Sequence, residues 1–268
     1  MAPTGQLALV TGASAGIGAA FARALAARGY DVALVARRRE RLEALALELK
    51  RDHGVEGIVI CADLAAEEAP SAILTDLAGR GRPLDMLVNN AGFSLPKEFA
   101  ATSWAQQRDF IATLVTAPAA LAHAVLPGMI ARGRGAIINI SSMTALSPGA
   151  AGHTLYPAAK SFILKFSLSL DAEVRAHGVK VTCVVPGTTE SEFTSANGTK
   201  AIMEKAPRAL SMSAAHVVEL ALAANDRGRP ICIPGVHNQI AAGLMKYLPD
   251  GLVTYLVRRA AEAYRVKD

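Results

Sequence analysis

Residues 6–18 read QLALVTGASAGIG, and the alanine-rich stretch 19–28 follows directly. The uncharged run 6–10 fits a buried strand, and the alanine-rich stretch fits a helix. Between them lies a turn, Thr11 to Gly18, with glycines at Gly12, Gly16 and Gly18. The spacing is GxxxGxG rather than the commoner GxGxxG, but the physics is shared. Glycine permits a tight turn and a close backbone approach, and the N-terminus of the following helix attracts a pyrophosphate. Thr11, Ser14, Ala15 and Ile17 complete the candidate phosphate-binding turn. Strand, glycine turn and helix in that order are the context that gives such a motif meaning.

Residues 31–36 (DVALVA) form a second strand that ends at Arg37 and Arg38. In a doubly wound sheet this end faces an adenosine ribose. A carboxylate there binds the 2′-hydroxyl, whereas arginine accepts a 2′-phosphate. No carboxylate appears before Glu40, so the cofactor reading is NADP(H) over NAD(H), with Arg37 and Arg38 as the phosphate clamp. Arg39 and Arg41 are expected to face solvent on a helix whose leucines, Leu42, Leu45 and Leu49, form an apolar stripe. Residues 57–61 make a third strand followed by Asp63 and Leu64, and 84–88 a fourth that ends in Asn89, Asn90, Ala91 and Gly92. On spacing alone this last tetrapeptide is a turn that lets a ligand approach the backbone.

A long apolar helix is expected over 102–132, a fifth strand over 135–140, a helix from Tyr156 to about 177, and a sixth strand over 179–185 closed by Pro186 and Gly187. Residues 188–212 are polar and poorly periodic, as in a substrate lid. Ser213 is positioned to cap a helix, 230–233 is a short last strand, and basic amphipathic helices end the chain within about 236–266. Alternating strands and helices predict an α/β fold. The expected form is one Rossmann-like domain over 1–268, a doubly wound parallel sheet of about seven strands with helices on both faces. No internal repeat or linker divides it.

Composition narrows the function. Of 268 residues, 51% are hydrophobic and 19% charged, as in a folded globular chain. Aromatic residues make up only 5%, which argues against a base-stacking nucleic-acid surface, and the net charge of +5 is mostly dispersed. Cys61, Cys183 and Cys232 are far apart and form no CxxC or metal pattern, so reduced thiols are expected. The run 110–131 has a membrane-span length, but Pro118, Pro127 and Gly128 interrupt it and favour a buried helix. The first strand begins almost at once and leaves no room for a signal peptide, so the chain is expected in the cytoplasm.

The stretch 142–160 (SMTALSPGAAGHTLYPAAK) carries the candidate chemistry. If Tyr156 begins a helix, Lys160 lies one turn later on the same face. An ammonium beside a phenol favours the phenolate and lowers the tyrosine pKa, which makes Tyr156 a candidate acid/base. Ser142 could hold a carbonyl oxygen. Tyr-x-x-x-Lys alone is weak, but every candidate here falls at a predicted strand end, where ligands bind in such sheets.

The ordered set TGxxxGxG, NNAG, Ser, YxxxK and PG resembles the short-chain dehydrogenase/reductase family, over almost the whole chain. The resemblance implies roles for these residues. Ser142 would orient the substrate, Tyr156 would be the catalytic acid/base, and Lys160 would hold the nicotinamide ribose and tune the tyrosine. Asp63 and Leu64 would meet the adenine, Asn89 to Gly92 the adenosine side, and Pro186, Gly187, Thr188 and Thr189 the nicotinamide carboxamide. A homodimer or homotetramer is implied as well.

Two departures stand out. Where the family has an asparagine that helps hold a proton-relaying water, this chain has Leu114, and leucine cannot hydrogen-bond. The serine also lies one residue further from the tyrosine than usual. Leu114 leaves two readings open: an active NADP(H)-dependent carbonyl reductase or alcohol dehydrogenase, and a cofactor-binding sensor or scaffold. A third reading places the basic C-terminal segment on a membrane surface. For the enzyme, Phe93, Ser94, Leu95, Met143, His153, Leu155 and Phe193 are the candidate substrate-lining residues. Most are apolar, so a hydrophobic ketone or secondary alcohol is expected.

Overall fold

The computed structural model describes residues 4–95, 97–149, 152, 154–190 and 211–263. Its centre is β1 (Leu7–Thr11), whose five residues are all buried. Side chains alternate across a strand, and here both faces are covered. Ala8 and Val10 join one core layer, and Leu7 and Leu9 join the other. This is why the strand is apolar throughout rather than at every second position.

The other strands of the main sheet are β2 (Asp31–Ala36), β3 (Gly57–Cys61), β4 (Met86–Asn89), β5 (Gly135–Ile140), β6 (Val179–Val184) and β9 (Ile231–Cys232). They form a seven-stranded sheet in the order β3-β2-β1-β4-β5-β6-β9. All six pairings are parallel. The order reverses between β1 and β4, and the crevice at that switch point is where an open α/β sheet takes its ligand.

Helices α1 (Gly16–Ala27), α2 (Arg39–His53) and α7 (Ala214–Asp226) cover one face. Phe21 and Leu25 of α1 pack there with Leu42, Leu45 and Leu49, the stripe expected on α2. On the other face lie α3 (Ala69–Ala78), α5 (Ala117–Ala131) and α6 (Leu155–Val174), through residues such as Ile73, Leu121, Val125 and Leu170. The expected long helix is present as one run, Trp104–Ala131, made of α4 (Trp104–Ile111), a π turn over Ala112–Thr116, and α5. Pro118, in the first turn of α5, has no N–H, so the carbonyl of Leu114 lacks its α-helical donor. By length and composition Trp104–Ala131 could cross a membrane. It lies against the sheet instead, with Leu121, Ala122, Val125 and Met129 in the core.

Two short elements were not legible in the sequence. β7 (Thr189–Glu190) and β8 (Met212–Ser213) pair in parallel as a separate sheet. Strands of two residues are too short to show a period. Residues 191–210, most of the expected lid, lie outside the described residues, as do His153 and Phe193. Ser213 caps α7 as expected, accepting a hydrogen bond from His216 N at 3.2 Å. The C-terminal pair is α8 (Val236–Tyr247) and α9 (Asp250–Ala263).

A buried polar chain ties the sheet to the helix that carries Tyr156 and Lys160. Asn89 Nδ2 donates to Asn139 Oδ1 at 2.9 Å, and Asn139 Nδ2 donates to Ser167 Oγ at 2.9 Å. Asn139 is fully buried, so its loss strands two partners away from water. Asn139→Ala should therefore destabilise the fold by roughly 2–3 kcal/mol. A lowered urea midpoint at unchanged m-value is the expected result.

Candidate active site

The glycine turn is held by its neighbour across the switch point. Thr11 Oγ1 accepts from the backbone N–H groups of Asn90 and Ala91 at 2.9 and 3.0 Å, and itself donates to Val88 O at 3.3 Å. Asn90 Nδ2 donates to Thr11 O at 2.9 Å. Gly12 and Gly16 have φ of +67° and +55°, in the left-handed region that glycine tolerates. Gly18 is required by proximity, since a Cβ there would stand 2.2 Å from Gly12 O. The turn delivers an α1 N-terminus with no side-chain cap at Ala15 and no acidic residue in its first turn. Such a terminus presents open N–H groups to an anion. These features fit a pyrophosphate.

Beside the turn, Arg38 Nη2 donates to Ser14 Oγ at 3.0 Å. Arg37 extends past Asp63, with Nη1 3.9 Å from Oδ2, and its side chain is 71% exposed. Together they put two guanidinium groups at the end of β2, suited to a further phosphate. Asp63 Oδ1 accepts from Ala65 N at 3.1 Å, and Leu64 points into the core. The four residues of the NNAG turn divide in role. Asn90 and Ala91 brace the glycine turn, while Asn89 faces inward to Asn139 and Pro118 O. Gly92 packs toward Leu114, whose Cγ lies 3.6 Å from the position a Cβ would occupy.

At the ends of β5 and β6, Met143 N donates to Pro186 O at 2.9 Å, which fixes the two strand ends side by side. Gly187 sits over Asn238, whose Oδ1 would be 2.3 Å from an added Cβ. Thr189 Oγ1 donates to Gly187 O at 3.2 Å, and Thr188 O accepts from Met212 N at 3.0 Å. Adjacent serines point to opposite sides. Ser141 Oγ donates to Lys160 O at 2.7 Å, whereas Ser142 hydrogen-bonds Tyr156. Ser142 keeps this position despite the longer loop.

The helix α6 begins at Leu155, so Tyr156 and Lys160 share a face. The expected electrostatics do not follow. Burial pushes the Tyr156 phenol up to about 12, with the Ser142 hydrogen bond opposing it. The Lys160 ammonium stands 5.6 Å from the Tyr156 ring centroid and donates to Ile140 O at 2.9 Å. It stands over the ring rather than serving the hydroxyl. Its own burial pulls it down to about 8, with nearby Cys183 opposing. At neutral pH this gives a protonated phenol hydrogen-bonded to a serine, beside a buried cation.

A narrow cleft opens at Tyr156. Leu95 and Leu155 line it as expected, but Phe99, Phe110, Lys97 and Gln107 do so as well. Phe93 packs edge-on against Phe110, with centroids 5.4 Å apart, and Met143 packs with the Ile163 and Val185 cluster. Ser94 follows Phe93 on the same connection. Leu114 is buried with Phe110 and Ala159 behind Tyr156. Spacing could not reveal Lys97 or Gln107, but one local signal bears on Gln107. Ser103 and Gln106 form a capping box that starts α4 and fixes the orientation of the next residue.

The profile of the short chain dehydrogenase family matches residues 6–201, and the chain belongs to that family. Sulfoacetaldehyde reductase 2 of Chromohalobacter salexigens is 37% identical over 191 residues, 70% of this chain and 75% of that protein. A short-chain dehydrogenase from Sphingobium yanoikuyae, solved in complex with NADPH, is 32% identical with a TM-score of 0.79, covering 91% of this chain and 96% of the other. The bulky-bulky ketone specific alcohol dehydrogenase of Comamonas testosteroni is 31% identical with a TM-score of 0.76, covering 91% and 95%.

Lys160 gives a stability test with a definite sign. Its folded pKa lies near 8, below the ordinary 10.5. Between these values the unfolded chain binds a proton that the folded chain has released, so stability rises with pH across that window. Lys160→Met should abolish that rise. It should also stabilise the protein at pH 7 by on the order of 2 kcal/mol, because a buried charge is removed. Thermal unfolding of both forms from pH 7 to pH 10 checks it, and a less stable variant at pH 7 would contradict it.

Proposed function

We propose that the chain is an NADP(H)-dependent oxidoreductase that moves a hydride reversibly between nicotinamide and a hydrophobic ketone or secondary alcohol. The observation that carries this reading is the junction of Ser142, Tyr156 and Lys160 at the same sheet edge as the glycine turn. The NADPH-bound relative supports the cofactor, and the ketone-specific relative supports the substrate type. Thr11 to Gly18 would cradle the pyrophosphate, Arg37 and Arg38 the 2′-phosphate, and Lys160 the nicotinamide ribose. Asp63, Asn90 to Gly92 and Pro186 to Thr189 would flank the rest.

Bound NADPH supplies the hydride. The chain supplies a proton and the position. Ser142 and Tyr156 would both donate hydrogen bonds to the carbonyl oxygen, and Tyr156 would give it its proton as negative charge develops. A phenol raised to about 12 stays protonated at working pH, which suits reduction. The Lys160 charge would stabilise the phenolate left behind. Oxidation needs the phenolate first and is favoured by high pH. Leu114, buried where a polar relay residue would sit, favours one second reading, a cofactor-binding protein with weak or redirected catalysis.

The described structure records no disulfide, and Cys61, Cys183 and Cys232 are free thiols, which supports a reducing, cytoplasmic setting. Trp104 and Phe162 are 68% and 40% exposed, which supports burial against further subunits in a homodimer or homotetramer.

Tyr156→Phe should lower kcat for ketone reduction by at least about a thousandfold while the Kd for NADPH stays within about twofold. Retained turnover in that variant would contradict the assignment, and NADPH binding without turnover by the unaltered protein would favour the second reading. Replacing Arg37 and Arg38 together by serine should raise the Kd for NADPH by about 10–100-fold and leave NADH nearly unchanged. Equal losses for both cofactors would exclude a 2′-phosphate site.

A further inference from the structure

The cleft at Tyr156 has an asymmetric lining. Leu95, Phe99, Phe110 and Leu155 make its walls apolar. The polar lining side chains are Tyr156, Thr154, Gln107 and Lys97, and no carboxylate is among them. Gln107 is buried, and its Nε2 donates to Thr102 Oγ1 at 2.5 Å. Lys97 is exposed at the rim, and its ammonium makes no ion pair or side-chain hydrogen bond among the described residues. Other exposed basic groups near the site are engaged: Arg38 on Ser14 and Arg37 beside Asp63.

An exposed cation at the mouth of an apolar cleft that ends in a proton donor selects for charge at one end and a carbonyl at the other. We propose that the substrate is an oxo acid or its hydroxy acid: a carbonyl that reaches Tyr156, an apolar body against Leu95, Phe110 and Leu155, and an anionic end paired with Lys97. This rests on the hydride-transfer reading and narrows its hydrophobic ketone to an amphiphilic anion. Gln107 is a positioning residue that keeps α4 and the Thr102 turn in place beneath the rim.

The test compares 5-oxohexanoate with its methyl ester, which differ in one charge. With NADPH, the unaltered protein should favour the acid by about tenfold in kcat/KM, and raising the salt to about 0.5 M should narrow the gap. Lys97→Met should remove the preference by weakening the acid alone, and Lys97→Arg should keep most of it. A parallel titration of hexanoate against hexanamide, into protein loaded with NADP⁺, reads the anion site without turnover. Equal use of acid and ester, or equal losses for both in Lys97→Met, would overturn the proposal. Turnover of neither, with hexanoate binding that depends on Lys97, would overturn the hydride-transfer reading and leave the anion site standing. Turnover of the ester, with no hexanoate binding, would do the reverse.

Discussion

The site depends on one close approach. Gly18 lies so near Gly12 that any side chain there would collide with the Gly12 carbonyl. Because neither residue has one, α1 starts directly against the end of β1 and its N-terminal N–H groups face the crevice. Asn90 then closes the arrangement from β4, with its amide on Thr11 O and its backbone N–H on Thr11 Oγ1. The switch between β1 and β4 is thereby a fixed cradle rather than a loose pair of loops. The helix dipole and open N–H groups supply the attraction for a phosphate, and the glycines supply the room.

On the other side of the crevice, chemistry conflicts with stability. Tyr156 and Lys160 are each disfavoured in their charged forms by burial. The fold accepts this because α6 is anchored by polar contacts that do not belong to the reaction. Ser141 holds the Lys160 carbonyl, and the Asn89, Asn139 and Ser167 chain holds the helix to the sheet. At neutral pH Lys160 keeps its charge, donating to the Ile140 carbonyl. Shifted titrating groups of this kind cluster at functional sites.

The sheet was legible because its strands are buried on both faces and read as continuous apolar runs. The ranges 31–36, 57–61 and 135–140 agree with β2, β3 and β5 to the residue. The glycine turn was legible because glycine is forced there by geometry. The long helix was legible as one run, but the π turn within it was not, because the residues around Ala112–Thr116 are uncharged and a one-residue shift of register leaves no visible change of pattern. The raised tyrosine was missed because spacing puts Lys160 near Tyr156 but cannot tell which atom its ammonium serves. Lys97 and Gln107 enter the site through a turn and a capping box, where no period marks the inward side. Asn89 and Asn90 are adjacent and identical in type, yet strand alternation sends one into the core and leaves the other at the cradle.

The most direct test is transfer of label. The protein is incubated with a ketone and NADPH deuterated at nicotinamide C4 on one face, and the alcohol is examined by mass spectrometry and NMR. One deuterium is expected on the carbinol carbon, from one face of the nicotinamide only, with the hydroxyl proton drawn from solvent through Tyr156. Alcohol formed without deuterium from either labelled face would contradict it.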